Sequence, residues 1–145
     1  MKSLFLIMSV FFASNSNLDT VEKDADMNAV IEAVEQFVES ADQRNVEQMD
    51  VIMHSNFRAI VNRLFGSEEV SIMDKALYLD LLKQGKIGGD DRTITIESIH
   101  FEGNNALVKA SFEGKELVFH TFMQLVRETS GDWKIISDMP NIEKK

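Results

Sequence analysis

Histidines are the first side chains to consider for chemistry, because imidazole acts as an acid–base catalyst and as a metal ligand near neutral pH. The chain has three, His54, His100 and His120, which are widely separated. No two of them form the short-spaced histidine pair that is typical of a zinc site. The sequence therefore predicts no metal site. For His120 two interpretations stay open: it faces a ligand, or it is a hydrogen-bonded histidine on a sheet or dimer surface.

Asp138 and Tyr78 are the other polar groups whose chemistry suits a small molecule. Asp138 lies in the last predicted strand, and Tyr78, the only tyrosine, lies in a predicted helix. A carboxyl or phenol group in an apolar pocket can fix the polar edge of a ligand or exchange a proton with it. Two simpler roles stay open, a solvated acid at a strand end for Asp138 and a ring anchored in the core for Tyr78.

Nucleophilic catalysis and phosphate binding find little support in the residue pattern. There is no cysteine, no Gly-x-Ser-x-Gly segment and no serine with an evident histidine partner. Gly85, Gly88 and Gly89 lack the spacing of phosphate-binding loops, and they follow a predicted helix instead of opening one. These glycines predict a loop, which we expect at the mouth of any cavity.

Apolar residues at helical spacing mark the first element that could position these groups. The stripe predicts a helix from Met27 to Ala41, which Asp24 or Asp26 can cap. Its opposite face carries polar residues, and we expect these to be solvated: Glu32, Glu35, Gln36, Glu39 and Asp42.

Two shorter helices and a strand follow this helix. Asn45 is a candidate N-cap for the second helix, and Ser71 or Asp74 for a third, which Gly85 would end. Between them, residues 56–65 have the composition of a strand.

After the loop at residues 85–91 the pattern alternates with period two, as in strands. Short turns divide this region, which ends with the strands Leu117–Arg127 and Trp133–Asp138. Thr121 and His120 take opposite faces of the long strand. Strands joined by short turns predict an antiparallel meander. With the helices ahead of it, the pattern predicts an α+β fold with the helices on one face of the sheet.

Composition limits the class of protein further. A chain of 145 residues, 44% hydrophobic and 27% charged, is long enough for one domain with a buried core. The formal net charge of −9 argues against binding to nucleic acid or to an anionic membrane, since both need a basic surface. The absence of cysteine excludes disulfides and thiolate chemistry.

The N-terminal residues predict a targeting signal. Lys2 precedes the apolar run Leu4–Ala13, which is shorter than the roughly 20 residues of a membrane span, and small residues follow. We expect residues 1–16 to be a cleaved signal peptide, so that the protein is exported, periplasmic or secreted, without a membrane anchor. Residues 17–25 are then a flexible segment. The alternative is a buried N-terminal helix or strand.

The order helix, helix, strand, helix and meander, closing on residues 131–136 (GDWKII), resembles the nuclear transport factor 2-like superfamily. The nearer resemblance is to its putative lumazine-binding or SnoaL-like small domains. Further segments carry it: 29–45 (AVIEAVEQFVESADQRN), 78–83 (YLDLLK), 85–89 (GKIGG), 96–106 (IESIHFEGNNA) and 122–126 (FMQLV). The resemblance covers residues 26–142, which we take as the domain, and leaves 143–145 as a tail.

The resemblance implies a cystatin-like α+β cone, in which three N-terminal helices pack on a strongly curved antiparallel sheet and enclose a pocket. It also implies a homodimer formed through the outer face of the sheet. Enzymes of the superfamily that resemble ketosteroid isomerase place a general-base carboxylate just after the second helix. Here that segment, residues 56–63 (NFRAIVNR), contains no acid. This departure argues against isomerase or cyclase chemistry of that kind.

The sequence thus predicts an exported domain that binds a small organic ligand without catalysis, cofactor or metal. Aromatic molecules are among the candidate ligands. The pocket residues expected by resemblance are His54, Phe57, Tyr78, His120, Phe122 and Asp138. Two alternatives stay open. One is a small-molecule enzyme of the SnoaL or ketosteroid isomerase type, with His120, Asp138 or Tyr78 as proton carriers. The other is a dimeric envelope accessory protein with a vestigial pocket.

Overall fold

The computed structural model describes residues 16–145, and the fold is of the α+β class that the sequence predicts. Of the predicted signal peptide, residues 1–16, all but Ser16 lie outside the described residues. The described part contains three α-helices, α1 (Ser16–Gln43), α2 (Val46–Ile52) and α3 (Lys75–Lys83), and a 3-10 turn at Leu64–Gly66. The six strands are β1 (Met53–Asn62), β2 (Val70–Asp74), β3 (Thr93–Glu102), β4 (Asn105–Glu113), β5 (Leu117–Arg127) and β6 (Trp133–Lys144).

Predicted capping residues begin the two short helices, and a predicted glycine follows the end of α3. The Asn45 side-chain oxygen accepts a hydrogen bond from the Gln48 N–H at 3.1 Å and begins α2. The Asp74 carboxylate accepts one from the Leu77 N–H at 2.9 Å and begins α3. Gly85 follows α3 with a φ of +72°, which glycine adopts without steric cost. These local signals fix where α3, and Tyr78 within it, lie in the chain.

Helix α1 starts well upstream of its apolar stripe. Residues 17–25, expected as a flexible segment, are part of this helix. Contacts with the end of the sheet explain the difference: Arg127 Nη1 lies 3.4 Å from Glu22 Oε1 and 3.6 Å from Asp26 Oδ2. The Trp133 indole N–H also donates to Asp26 Oδ1 at 2.9 Å. These polar contacts stabilise turns of α1 that lack an apolar face.

The strands form one sheet in the order β2-β1-β6-β5-β4-β3. Neighbouring strands are antiparallel except β1 and β6, which are parallel, so the sheet is mixed and not the antiparallel sheet that we expected. The parallel pair arises because the last strand of the chain inserts between β1 and the meander. The meander of β3, β4 and β5 is arranged as predicted.

Two strands differ from the sequence prediction. Strand β2 pairs with β1 but is mostly exposed, so it lacks the alternation by which a strand is recognised. Strand β6 continues past Asp138 and includes Pro140, which has no N–H to donate. The parallel pairing with β1 ends at Asp138. The missing N–H of Pro140 therefore lies beyond that ladder.

The hydrophobic core lies between the apolar stripe of α1 and the inner face of the sheet. Along β5, Thr121, Met123 and Leu125 are buried, whereas His120 and Phe122 face outward. This alternation follows from the period of two in a strand. It decides which side chains of β5 can reach the space between the sheet and the helices.

Candidate functional site

A cavity of about 370 Å³ lies between the inner face of the sheet, α3, the end of α1 and the loop at residues 85–91. Its volume falls within the range of pockets that hold small organic molecules. Aromatic side chains form much of its wall: Phe37, Phe65, Tyr78, Phe112 and Phe119. The polar or charged side chains that line it are Tyr78, Lys86, Asp90, Arg92 and Asp138. An apolar wall with a few polar groups is the usual construction of a ligand site.

Asp138 reaches the cavity from β6, where it lies beside Ala59 of β1 and Met123 of β5. The residue is 7% exposed, and the Thr121 hydroxyl donates a 2.5 Å hydrogen bond to its Oδ1. Burial raises the pKa of the Asp138 carboxyl to about 6, although the Thr121 hydrogen bond and the Arg92 charge both act to lower it. With a pKa of about 6, the Asp138 carboxyl can be protonated in mildly acidic solution, where it can donate as well as accept a hydrogen bond.

Tyr78 brings a phenol group from α3 to the same cavity. Its ring centroid lies 6.0 Å from that of Phe37 and 5.5 Å from that of Phe57, the latter in an edge-on arrangement. Burial raises the pKa of the Tyr78 phenol above its ordinary value, and the Asp138 carboxylate raises it further. The hydroxyl is thus protonated at neutral pH. It makes no hydrogen bond to any of residues 16–145 and is available to a ligand.

Arg92, immediately before β3, places a positive charge in the cavity wall. Its side chain is 8% exposed, and its Nε lies 2.6 Å from Oδ1 of Asp42 in α1, whose side chain is 12% exposed. The Arg92 backbone N–H donates to the other Asp42 oxygen at 2.9 Å. The guanidinium carbon lies 5.0 Å from the ring centroid of Phe119 and 5.6 Å from that of Phe112. Paired and stacked in this way, the buried cation is held in a single position.

The loop at residues 85–91 forms part of the cavity wall, and the glycine pattern predicts a loop here. Arg44 donates hydrogen bonds to three of its carbonyl oxygens: Ile87 at 3.2 Å, Gly85 at 3.2 Å and Gly88 at 3.1 Å. The Gly89 N–H donates to the Ala41 carbonyl oxygen at 3.0 Å. A Cβ on Gly88 would clash with that same oxygen. The loop is therefore seated directly on the last turn of α1.

The structure brings two of the six predicted pocket residues together at the cavity, Tyr78 and Asp138. Phe57 is fully buried behind Tyr78 and supports its ring without lining the cavity. His54 lies at the start of β1, where its Nδ1 accepts a hydrogen bond from the Asn56 N–H at 3.0 Å. A ligand role for any of these residues stays a prediction.

His120 and Phe122 lie outside the cavity on the outer face of β5, because Thr121 between them points inward. There His120 Nδ1 is 3.1 Å from the Ser111 hydroxyl, and its Nε2 is 3.8 Å from a Glu143 carboxylate oxygen. The structure thus agrees with the alternative of a hydrogen-bonded histidine on a sheet surface.

Arg92 and Asp42 are not among the residues predicted from the sequence. Asp42 was expected on the solvated face of α1, but Arg92 covers it. A weak signal exists, since Asp42 directly follows Ala41 at the end of the apolar stripe and lies at the edge of the buried face. The partner could not be found in this way, because Arg92 lies 50 residues away in the chain.

Within residues 16–145, no group of three histidine, aspartate or glutamate side chains is arranged to hold a metal ion. None of the helices in that range is long and apolar enough to cross a membrane.

We expect the Asp138→Asn variant to have a flatter pH dependence of stability than the wild type. Folding raises the pKa of Asp138 from 3.8 to about 6, so the folded state binds more protons than the unfolded state between these values. The wild type therefore loses stability as the pH rises through this range, by about 3 kcal/mol for a shift of this size, and the variant does not.

Urea unfolding between about pH 4 and about pH 8 gives this difference in the free energy of unfolding. The exposed Glu116→Gln variant is the control for the loss of a surface carboxylate. Equal pH dependence of the wild type and Asp138→Asn would show that Asp138 is not desolvated.

Comparison with known proteins agrees with this architecture. Residues 25–139 match the model of a family described as putative lumazine-binding. A nuclear transport factor 2-like protein of unknown function from Silicibacter pomeroyi superposes with a TM-score of 0.72 at 15% identity, over 83% of this chain and 98% of that chain. No match is found among curated proteins.

Two further solved structures share the fold. A protein with a cystatin-like fold from Nostoc punctiforme has a TM-score of 0.67 at 13% identity, over 82% of this chain and 92% of that chain. A ketosteroid isomerase-like protein from Erwinia carotovora atroseptica has a TM-score of 0.63 at 9% identity, over 81% and 94%. At such identities the likeness shows the fold alone. The family match over most of its length shows that this chain belongs to the putative lumazine-binding family, and its fold is the one that these solved structures share.

Proposed function

We propose that the protein binds a small organic molecule in the cavity and does not transform it. The observation that carries this proposal is the meeting of Tyr78, Arg92 and Asp138 at an otherwise largely apolar, aromatic-lined cavity of about 370 Å³. The rings can pack on a flat apolar body while the three polar groups fix its polar edge. The family description names lumazine, a flat bicyclic molecule, and a ligand of that shape suits these walls.

Strand β1 supports the non-catalytic form of the proposal. Its inward residues next to the cavity are Ala59 and Val61, so the strand that follows α2 presents no carboxylate there. A base for carbon acids must be positioned against the substrate. The residues that fill this position are apolar.

We expect the Val61→Phe variant to lose binding of an aromatic probe, because the larger side chain fills the cavity that Val61 lines. The probe is N-phenyl-1-naphthylamine, a neutral dye that fluoresces in apolar surroundings. The matched control is Ile60→Phe, which changes the next residue of β1, on the opposite face. Wild type and Ile60→Phe should enhance the fluorescence equally, and Val61→Phe should lower the probe affinity at least about tenfold. Weak and equal fluorescence for all three proteins would refute a ligand cavity.

A proton-transfer enzyme is the second candidate, and one observation favours it. Asp138 lies directly beside Ala59 in the parallel pairing of β6 with β1, so a carboxyl group reaches the cavity from the neighbouring strand. Burial raises the pKa of Asp138 to about 6, which suits a general base.

Hydrogen–deuterium exchange at the α-carbons of 2-tetralone, a bicyclic ketone, separates the two candidates. If the protein only binds its ligand, NMR should show the same exchange rate with the wild type and with Asp138→Asn. Faster exchange with the wild type would overturn the non-catalytic form of the proposal and support the enzyme.

The proposal also includes export and dimerisation. Export rests on the basic and apolar pattern of residues 1–16. Dimerisation rests on an apolar patch on the outer face of the sheet, where Leu107 is 40%, Phe122 43% and Met139 46% exposed. Phe122 and Met139 are cross-strand partners, so the patch is continuous across two strands. A second copy of the chain would cover it.

Native mass spectrometry of the protein purified from its own compartment tests these points together. We expect two subunits, each beginning near Asn17, with a small molecule bound. The Phe122→Glu variant should be monomeric, because a charge in the patch opposes burial. The control is Val51→Glu, which alters an apolar side chain that is 65% exposed and lies on helix α2 instead of the sheet. An unprocessed, empty monomer would contradict export, binding and dimerisation at once.

A further inference from the structure

Arg92 has hydrogen-bonding capacity that the protein does not use. Its Nε and backbone N–H serve Asp42, and its Nη2 reaches the Val38 carbonyl oxygen at 3.4 Å. Its Nη1 donates to no acceptor within residues 16–145, although the side chain is 8% exposed and lines the cavity. Because Arg92 lines the cavity, this unused donor is available to an oxygen of a ligand.

Two neighbouring groups are also incompletely paired. Asp138 accepts the Thr121 hydrogen bond at Oδ1, and its Oδ2 has no partner among the described residues. The second group is the Tyr78 hydroxyl, which makes no hydrogen bond within the described residues. The charge of Arg92 acts on both Asp138 and Tyr78. The three groups therefore share one polar region in an apolar cavity.

From this geometry we propose that the ligand is a small organic acid with an aromatic body, bound as its carboxylate to Arg92 and Tyr78, and that Asp138 takes up a proton when it binds. This proposal rests on the proposed function and names the head group of the ligand. The two oxygens of a carboxylate can accept from the guanidinium and the phenol at the same time. The ring of the acid would pack on the aromatic wall that includes Phe112 and Phe119.

Charge favours a carboxylate over a phosphate group. Asp42 already pairs with Arg92, so the site has little net positive charge to offset an anion. A doubly charged phosphate would leave a buried charge without compensation, which is strongly unfavourable. Lys86 and Asp90, which also line the cavity, carry opposite charges and leave this balance unchanged.

The small net positive charge of the site also couples ligand binding to the uptake of a proton. The groups that face Asp138 are Arg92 before β3, Tyr78 in α3 and Thr121 in β5, while its β1 neighbour is Ala59. A bound carboxylate would add a second negative charge near Asp138 and raise the pKa of its carboxyl further. Protonated Asp138 can then donate a hydrogen bond to the ligand, and binding strengthens as the pH falls.

Three compounds with one aromatic body test the head group: 2-naphthoate, 2-naphthamide and 2-(aminomethyl)naphthalene. Displacement of N-phenyl-1-naphthylamine from the wild type gives each affinity. At about pH 6 we expect 2-naphthoate to bind at least about tenfold more tightly than the amide and the amine. Its affinity should fall about tenfold by about pH 8, while that of the amide stays constant. In Asp138→Asn the affinity for 2-naphthoate should not depend on pH.

Two measurements test the proton and the cation separately. Calorimetry of 2-naphthoate with the wild type at about pH 7, in buffers of different ionisation enthalpy, should show uptake of up to about one proton per ligand and none for the amide. The double variant Arg92→Gln with Asp42→Asn removes both charges of the pair, so neither is left buried alone. It should lose the preference for the acid and keep its affinity for the amide. His120→Gln on the outer face is the control and should behave as the wild type.

The outcomes separate this inference from the proposed function. If the dye binds and the amide or the amine binds as tightly as the acid, the organic acid is overturned and the ligand cavity stands. If the acid binds best without proton uptake, the role of Asp138 is overturned. If neither the dye nor any naphthalene compound binds, both proposals fall.

Discussion

The ion pair between Arg92 and Asp42 is the interaction on which the geometry of the cavity depends. It joins the last turn of α1 to the residue before β3, with the two side chains only 8% and 12% exposed. Both Asp42 oxygens are used, one by the Arg92 side chain and one by its backbone N–H. A buried pair is weak as a source of net stability, but removal of one partner is costly because the other charge remains buried. The pair therefore fixes where the helix meets the sheet, and it leaves one edge of the guanidinium facing the cavity.

The position of Asp138 shows how the fold presents a carboxyl group without placing it on β1. The parallel insertion of β6 beside β1 puts Asp138 next to Ala59. The inward register of β5 puts Thr121 within hydrogen-bonding distance of Asp138, and α3 brings Tyr78 to the same cavity. Each of these groups comes from a different element, so the polar region exists only once the sheet and the helices have packed together. The raised pKa of Asp138 and the hydrogen bonds of this region therefore depend on tertiary structure.

Local patterns in the sequence predict most of the fold and part of the site. The caps at Asn45 and Asp74, the alternation along β5 and the helical stripe of α1 are local, and the structure confirms them. Strand β2 is exposed and has no alternation to detect, and the parallel pairing of β6 depends on contacts distant in sequence. The same limit applies to the site. Tyr78 and Asp138 could be chosen by residue type, whereas Arg92 becomes significant only through its contact with Asp42, which is distant in sequence.

Gly88 has a consequence for how the specificity of this cavity could change. Because a Cβ at this residue would clash with the Ala41 carbonyl oxygen, the loop at residues 85–91 lies against α1 only while position 88 is glycine. Ile87 and Asp90 in this loop line the cavity. The distance between the loop backbone and the α1 backbone therefore sets the volume that is available to a ligand. Related chains could thus accept ligands of different size by exchanging one residue in this loop, with every side chain that contacts the ligand left unchanged.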